Sequence, residues 1–171
     1  MPNDFVYDDW DEVEVEKYIE KLKKYKQRIG SVPNSFLILD DLMGKIQLYS
    51  PFFTNLIGIH RHVNLSIFLT SQYLVRGCAP VLRECVNYAF IWNSKFSNTL
   101  QSVYQSFGQG YPDFNSFKES FDEITGQKYT CLLFNNDSDN LEDQYFSYRA
   151  PAEIPNFQLK FNTEKKEKKK Y

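Results

Sequence analysis

Phe36-Leu37-Ile38-Leu39-Asp40-Asp41 decides how this chain is read. Four apolar residues run straight into two carboxylates, and Pro33-Asn34-Ser35 punctuates the entry. An unbroken apolar run reads as a strand buried on both faces, which is the habit of parallel sheets in α/β proteins. Ligands of such sheets bind beyond the carboxyl ends of the strands. Two adjacent acids at that point are placed for chemistry, most often as a Mg²⁺ site beside a nucleotide phosphate. The competing reading makes them caps of the segment that starts at Leu42.

Working outward, residues 5–7 form a short strand candidate. Val15, Tyr18, Ile19, Leu22, Tyr25 and Ile29 then recur at helical spacing. Asp9 or Asp11 is placed to cap that helix, and Gly30 to end it. After the acids, Ser50-Pro51 reads as an N-cap followed by proline in the first turn. Phe52, Phe53, Leu56, Ile57 and His60 fall on one face of the helix it opens. Residues 65–70 make a second apolar strand, ending in Ser71-Gln72, and residues 88–92 a third. Leu100, Val103, Tyr104 and Phe107 mark a helix closed by Gly108. Phe114, Phe117, Phe121 and Ile124 mark another, with Asp113 as its cap. Residues 129–134 and 144–148 flank the turn-rich 135–140 and read as a terminal hairpin. Strands alternating with helices predict an α/β fold with a mainly parallel sheet.

The bulk numbers fit one domain with a real core. The chain has 171 residues, and 17% are aromatic, which argues against disorder of its body. The formal net charge is −2, so global charge does not point to nucleic acid. The distribution is uneven: eight acids and one Lys in the first twenty residues, six Lys and two Glu in the last twelve. Residues 161–171 read as a Lys/Glu-rich disordered tail beyond a domain spanning 1–160. A Lys-rich tail of this kind is usually just solvated, although it could also touch a nucleic-acid backbone. Cys78, Cys85 and Cys131 lack CxxC spacing, which argues for a reducing compartment rather than a disulfide scaffold or Cys-rich zinc site. The apolar runs fall far below transmembrane length, so a soluble intracellular protein is expected.

Five further residues have functional readings beside structural ones. Gln72 closes the second apolar strand. Its amide can donate to a γ-phosphate and accept from an attacking water at once, or it is an ordinary polar strand end. Arg61 precedes that strand and can face the nucleotide of a neighbouring subunit as a finger, or it is a solvated helix-end arginine. Arg83, ahead of the third strand, is a second arginine candidate with a salt bridge to Glu84 or another acid as its alternative. His60 and His62 form an H-x-H without a nearby partner, and helix-end histidines are the simpler account.

In order, these spacings resemble the FtsK/HerA branch of P-loop ATPases, and within it the genome-packaging ATPases of large double-stranded DNA viruses. The carrying text is residues 36–41, 61–72 and 80–92, with the closing strand at 145–149, and the resemblance spans about residues 5–150. It implies a three-layer P-loop NTPase-like fold with helices on both faces of the sheet. Asp40 then matches the Walker B metal carboxylate and Asp41 the catalytic acid. Gln72 matches the polar sensor, Arg61 the trans-acting finger, and Arg83 the second choice for it. ATP and Mg²⁺ follow as cofactors. The implied partners are double-stranded DNA, capsid or portal-vertex proteins and further copies in a ring, with no membrane. The implied place is the virion or the host-cell virus factory.

One departure is large. The family's Walker A loop, GxxxxGK[ST], grips the phosphates, and no such text occurs here. Gly44-Lys45 is the only Gly-Lys pair and lacks a Gly-rich lead. The expectation is an N-terminally incomplete domain, missing the first strand–loop–helix unit and inactive alone. Its alternative is a non-catalytic remnant or accessory binding module. A metal-dependent nuclease built on the two acids lacks the further carboxylates and Lys such a site needs.

Overall fold

The computed structural model describes residues 6–41, 50–71, 80–94 and 96–153. Residues 6 and 7 form no regular element, so no strand starts there. Two residues without a neighbouring chain to bond gain nothing from an extended conformation.

Helix α1 (Glu12–Ile29) begins at Asp11, whose carboxylate accepts from the backbone N–H groups of Val13 and Glu14. Acids stand in its first turn and Lys26 and Arg28 in its last, complementing the helix dipole. Gly30 ends it in the left-handed region at φ 81°, where a side chain would be strained. Strand β1 (Ser35–Leu39) follows. Helix α2 (Pro51–Ile59) opens on Ser50, whose hydroxyl accepts from Phe53 N–H. A short 3-10 turn (His60–Val63) leads into strand β2 (Leu65–Leu69). β1 and β2 pair in parallel, Ser35 opposite Leu65 through Leu39 opposite Leu69.

Helix α3 (Pro80–Cys85) and strand β3 (Tyr88–Ile91) come next. Helices α4 (Ser97–Phe107) and α5 (Phe114–Thr125) pack on each other, and Asp113 caps α5. Strands β4 (Thr130–Asn135) and β5 (Tyr145–Arg149) complete the described chain. β3 pairs antiparallel with β4, and β4 antiparallel with β5.

The mainly parallel sheet expected from the sequence is therefore corrected. Among the described residues, one pairing is parallel and two are antiparallel, in sheets ordered β1-β2 and β3-β4-β5. The reason is connectivity. A single helix between strands returns the chain to the starting end and gives a parallel neighbour, as α2 does. Two successive helices, α4 and α5, return it to the far end and give an antiparallel one.

Each sheet has its own core. Ile19 and Leu22 of α1 and Phe53, Leu56 and Ile57 of α2 bury Leu39 and Leu65. Leu100, Val103 and Phe107 of α4 and Phe117 and Phe121 of α5 bury Ile91, Leu132 and Phe134. The cores meet at the end of α3, where Cys85 packs on the first and Val86 on the second. The second expectation to change concerns β1. Leu39 is buried, but Phe36 and Ile38 are 38% and 54% exposed, so only one face of this apolar strand is covered by the described residues.

Candidate functional site

The parallel register sets the two strand ends level, so Asp40 and Thr70 stand side by side as the first residues beyond β1 and β2. Thr70 N–H continues the ladder to the Leu39 carbonyl at 3.0 Å. The Thr70 hydroxyl donates to Asp40 Oδ1 at 2.6 Å and accepts from the Asp41 backbone N–H at 3.0 Å. One hydroxyl thus holds both acidic positions. Asp41 adopts a left-handed conformation, φ 49°, which Asp tolerates better than most residues, and this bends the chain out of the strand direction immediately after Asp40. Asp40, Asp41, Thr70 and Ser71 are all solvent-exposed.

The sequence reading passed over Thr70. Its signal was present: two apolar runs of equal length, paired in parallel, place their next residues opposite each other.

The other candidates lie elsewhere. Gln72 falls outside the described residues. Arg61 sits exposed in the turn before β2, at the amino end of the strand whose carboxyl end carries Thr70. A strand of five residues separates them, on the order of 15 Å. Arg61 therefore does not meet Asp40 or Asp41 of its own chain. Arg83 lies on α3 and lines a different cleft of about 670 Å³ with Glu84, Gln105, Asn136, Gln144 and Tyr145. Neither acid borders that cleft. The Asn136 amide at this cleft donates to the Val86 carbonyl at 3.0 Å. His60 Nδ1 hydrogen-bonds the Ile57 carbonyl at 2.6 Å, the local helix-end role. Among the described residues no three His, Cys, Asp or Glu side chains cluster as metal ligands. No helix among them is long and apolar enough to cross a membrane.

Magnesium takes one or two carboxylates, completes its shell with water and substrate phosphate, and seldom occupies an all-protein cage. Two exposed acids at a strand end, one oriented by a hydroxyl, fit that habit; a zinc-type site would not.

No protein-family model matches the chain. It is 28% identical over 146 residues to the uncharacterized protein 075L of Invertebrate iridescent virus 6, a match covering 85% of this chain and 56% of that protein. The chain thus spans little more than half of its viral relative. Its fold resembles that of viral genome-packaging NTPases. The DNA-packaging ATPase B204 of Sulfolobus turreted icosahedral virus superposes with a TM-score of 0.58 at 18% identity, over 84% of this chain and 64% of that one. B204 of Sulfolobus turreted icosahedral virus 2, in complex with sulfate, gives 0.58 at 16% identity, over 86% and 67%. The same protein in complex with ATP-gammaS gives 0.57 at 15% identity, over 82% and 65%.

Proposed function

We propose that this chain carries the hydrolytic half of an FtsK/HerA-type ATPase that drives viral DNA into a capsid. The observation that carries the reading is the Asp40–Thr70–Asp41 bridge at the carboxyl end of a parallel strand pair. The fold likeness to packaging NTPases supports it.

Asp40 is the metal carboxylate in this reading. Mg²⁺ would neutralise charge on the phosphate oxygens when bound there. The Thr70 hydroxyl fixes the Asp40 rotamer through one oxygen and leaves the other for a ligand. Asp41 orients and accepts a proton from the attacking water. Gln72, two residues past Thr70 in the sequence, is the sensor in this reading. Arg61 lies too far from the acids to act in its own chain. It serves as a finger only toward a neighbouring copy, as a ring would arrange it, with Arg83 as the second choice. The phosphate grip comes from a Walker A segment outside the sequence given.

The test is turnover of Mg-ATP. The purified chain alone is expected to show negligible hydrolysis. Co-expressed with the part of protein 075L that lies outside its match, it is expected to hydrolyse ATP, with loss on Asp41→Ala and on Arg61→Ala. Turnover that survives Asp40→Asn and Asp41→Ala would sink the reading in favour of a non-catalytic accessory module.

A further inference from the structure

The turn that carries Arg61 is held by residues far from it in the chain. Asn64 closes it locally. Its backbone N–H donates to the Arg61 and His60 carbonyls, and it stands in the left-handed region at φ 51°, which Asn tolerates. Its side chain then reaches across to the loop before β1, where Nδ2 donates to the Val32 carbonyl at 3.1 Å and to Asn34 Oδ1 at 2.6 Å. A carbonyl only accepts, so the nitrogen is the amide atom that faces this loop. The Asn64 carbonyl accepts from Ser35 N–H at 3.0 Å, where β1 begins. From the last turn of α1, Lys26 Nζ donates to the His62 carbonyl at 2.8 Å. Val63, 2% exposed, anchors the turn in the first core.

Arg61 itself shows a contrast. Its backbone is fixed from α1, from the loop before β1 and from the core. Its side chain is exposed and, among the described residues, meets no acid and no hydrogen-bond acceptor. Stability does not account for the ties. Lys26, Asn34 and Asn64 are exposed, so water competes for each bond and the net gain is small. A turn that only joined α2 to β2 needs the Asn64 N–H cap and nothing from α1 or the loop. What the long-range bonds fix is geometry: a backbone held in one conformation leaves a guanidinium fewer positions to search.

We propose that Asn64 and Lys26 are positioning residues for Arg61, holding the His60–Val63 turn so that the guanidinium projects in one orientation toward phosphate bound by a neighbouring copy. The assignment rests on the reading of Arg61 as a trans-acting finger. Neither residue touches the nucleotide; both act through the backbone of the turn.

The first arm of the test needs no turnover. Backbone ¹⁵N order parameters of the full chain are expected near the rigid value of about 0.85 across residues 60–63. Asn64→Gly keeps the left-handed backbone and removes the amide, and Lys26→Met removes the donor. Each is expected to lower the values at 60–63 while α2, β2 and the melting temperature stay as they were. Unchanged values at 60–63, or a loss that spreads through α2 and β2, would overturn the assignment.

The second arm is ATP turnover of the chain co-expressed with the part of protein 075L outside its match. Asn64→Gly and Lys26→Met are expected to lower kcat roughly ten- to a hundredfold with KM held, and Lys26→Arg to recover most of it. Neither should lower turnover further in an Arg61→Ala background. A finger acts on the next copy, so mixing Asn64→Gly with Asp41→Ala copies should restore part of the turnover, as mixing Arg61→Ala with Asp41→Ala does. A defect that mixing leaves in place, that multiplies with Arg61→Ala or that falls on KM makes Asn64 an ordinary structural residue. Full activity of Arg61→Ala, or no turnover of the complemented parent, removes the finger reading and this assignment with it. Unchanged order parameters strike the positioning role alone.

Discussion

The two half-sheets make an instructive pair. The β1–β2 half has two strands, one parallel pairing and the acidic strand ends; the β3–β4–β5 half has three strands, two antiparallel pairings and no acid at the site. An isolated two-stranded unit is marginal by itself, whereas three strands backed by helices hold a core. The side chains follow suit. Phe117, Phe121, Leu132 and Cys131 are essentially inaccessible in the second half, and aromatic rings there contact one another from Tyr104 through Phe117, Tyr111 and Tyr145 to Phe134. The first half buries Phe53 and Leu56 as completely, but among the described residues its aromatic contact is that of Trp10 with Phe52, at 6.0 Å. Stability is concentrated in one half and candidate chemistry in the other. That suits a site whose remaining parts come from outside it.

The strongest way to break this comparison is to empty the second core. Phe117→Ala removes a fully buried ring touching Tyr104, Tyr111 and Phe121, and should cost about 3–5 kcal/mol. The chain has two tryptophans, and they fall on opposite sides of the divide: Trp10 packs against the first core, and Trp92 directly follows β3 of the second. Urea unfolding followed by Trp92 fluorescence in a Trp10→Phe background should shift by the full amount. The Trp10 signal in a Trp92→Phe background should shift less. Equal shifts would show that the halves unfold as one unit.

Tyr145 supplies a smaller and more specific probe. Its hydroxyl donates to the Phe107 carbonyl at 2.8 Å and accepts from Gly110 N–H at 3.1 Å, tying β5 to the α4–α5 connection. Gly110 is required there, because a Cβ would stand 2.7 Å from the tyrosine ring. Tyr145→Phe leaves the Phe107 carbonyl and the Gly110 N–H without that partner and should cost about 1–3 kcal/mol in the Trp92-reported transition. No change would mean that water replaces the hydroxyl at no cost.

The same half should be the alkali-sensitive one. Burial pushes the Cys131 thiol above its ordinary 9.0 and the Tyr145 phenol above its ordinary 10.0. For groups raised on folding, the contribution is fully present below the unfolded value and is lost as pH rises through the folded one. Stability read at Trp92 should therefore hold to about pH 9 and decline above it, with the Cys131 part absent in Cys131→Ala. An unchanged decline in that variant would assign the effect to Tyr145 alone.

Much of both halves was legible in the sequence for physical reasons. Asp11, Ser50 and Asp113 cap helices because a short side-chain oxygen before an apolar-periodic run satisfies the first free N–H groups, and that grammar is local. The β4–β5 hairpin was legible for the same reason. Two things were not local. The antiparallel join of β3 to β4 depends on how many helices intervene, although α4 and α5 themselves were readable from their glycine and aspartate punctuation. The face of β1 left open among the described residues depends on what reaches it, and Phe36 and Ile38 look identical in sequence whether or not a helix arrives. For the site, Asp40 and Asp41 were visible as a pair. Thr70 was hidden because its role needs the register, and Arg61, close in sequence to that strand, lies at its far end from the acids.

The smallest stability effect sharpens the comparison most. Thr70→Val removes the hydroxyl that bridges Asp40 Oδ1 and Asp41 N–H while keeping β-branching and volume. All three groups are exposed, so water substitutes for the lost hydrogen bonds and the change in unfolding should stay within about 1 kcal/mol. ATP turnover of the complemented protein should fall by a larger factor, because a carboxylate free to rotate spends less time in the geometry that binds metal. Thr70→Ser retains the hydroxyl and should recover most of that activity. Valine and serine variants of equal activity would reduce Thr70 to an ordinary strand end. Valine and serine variants that differ in turnover while matching in stability would tie the acids of the first half to chemistry rather than to folding.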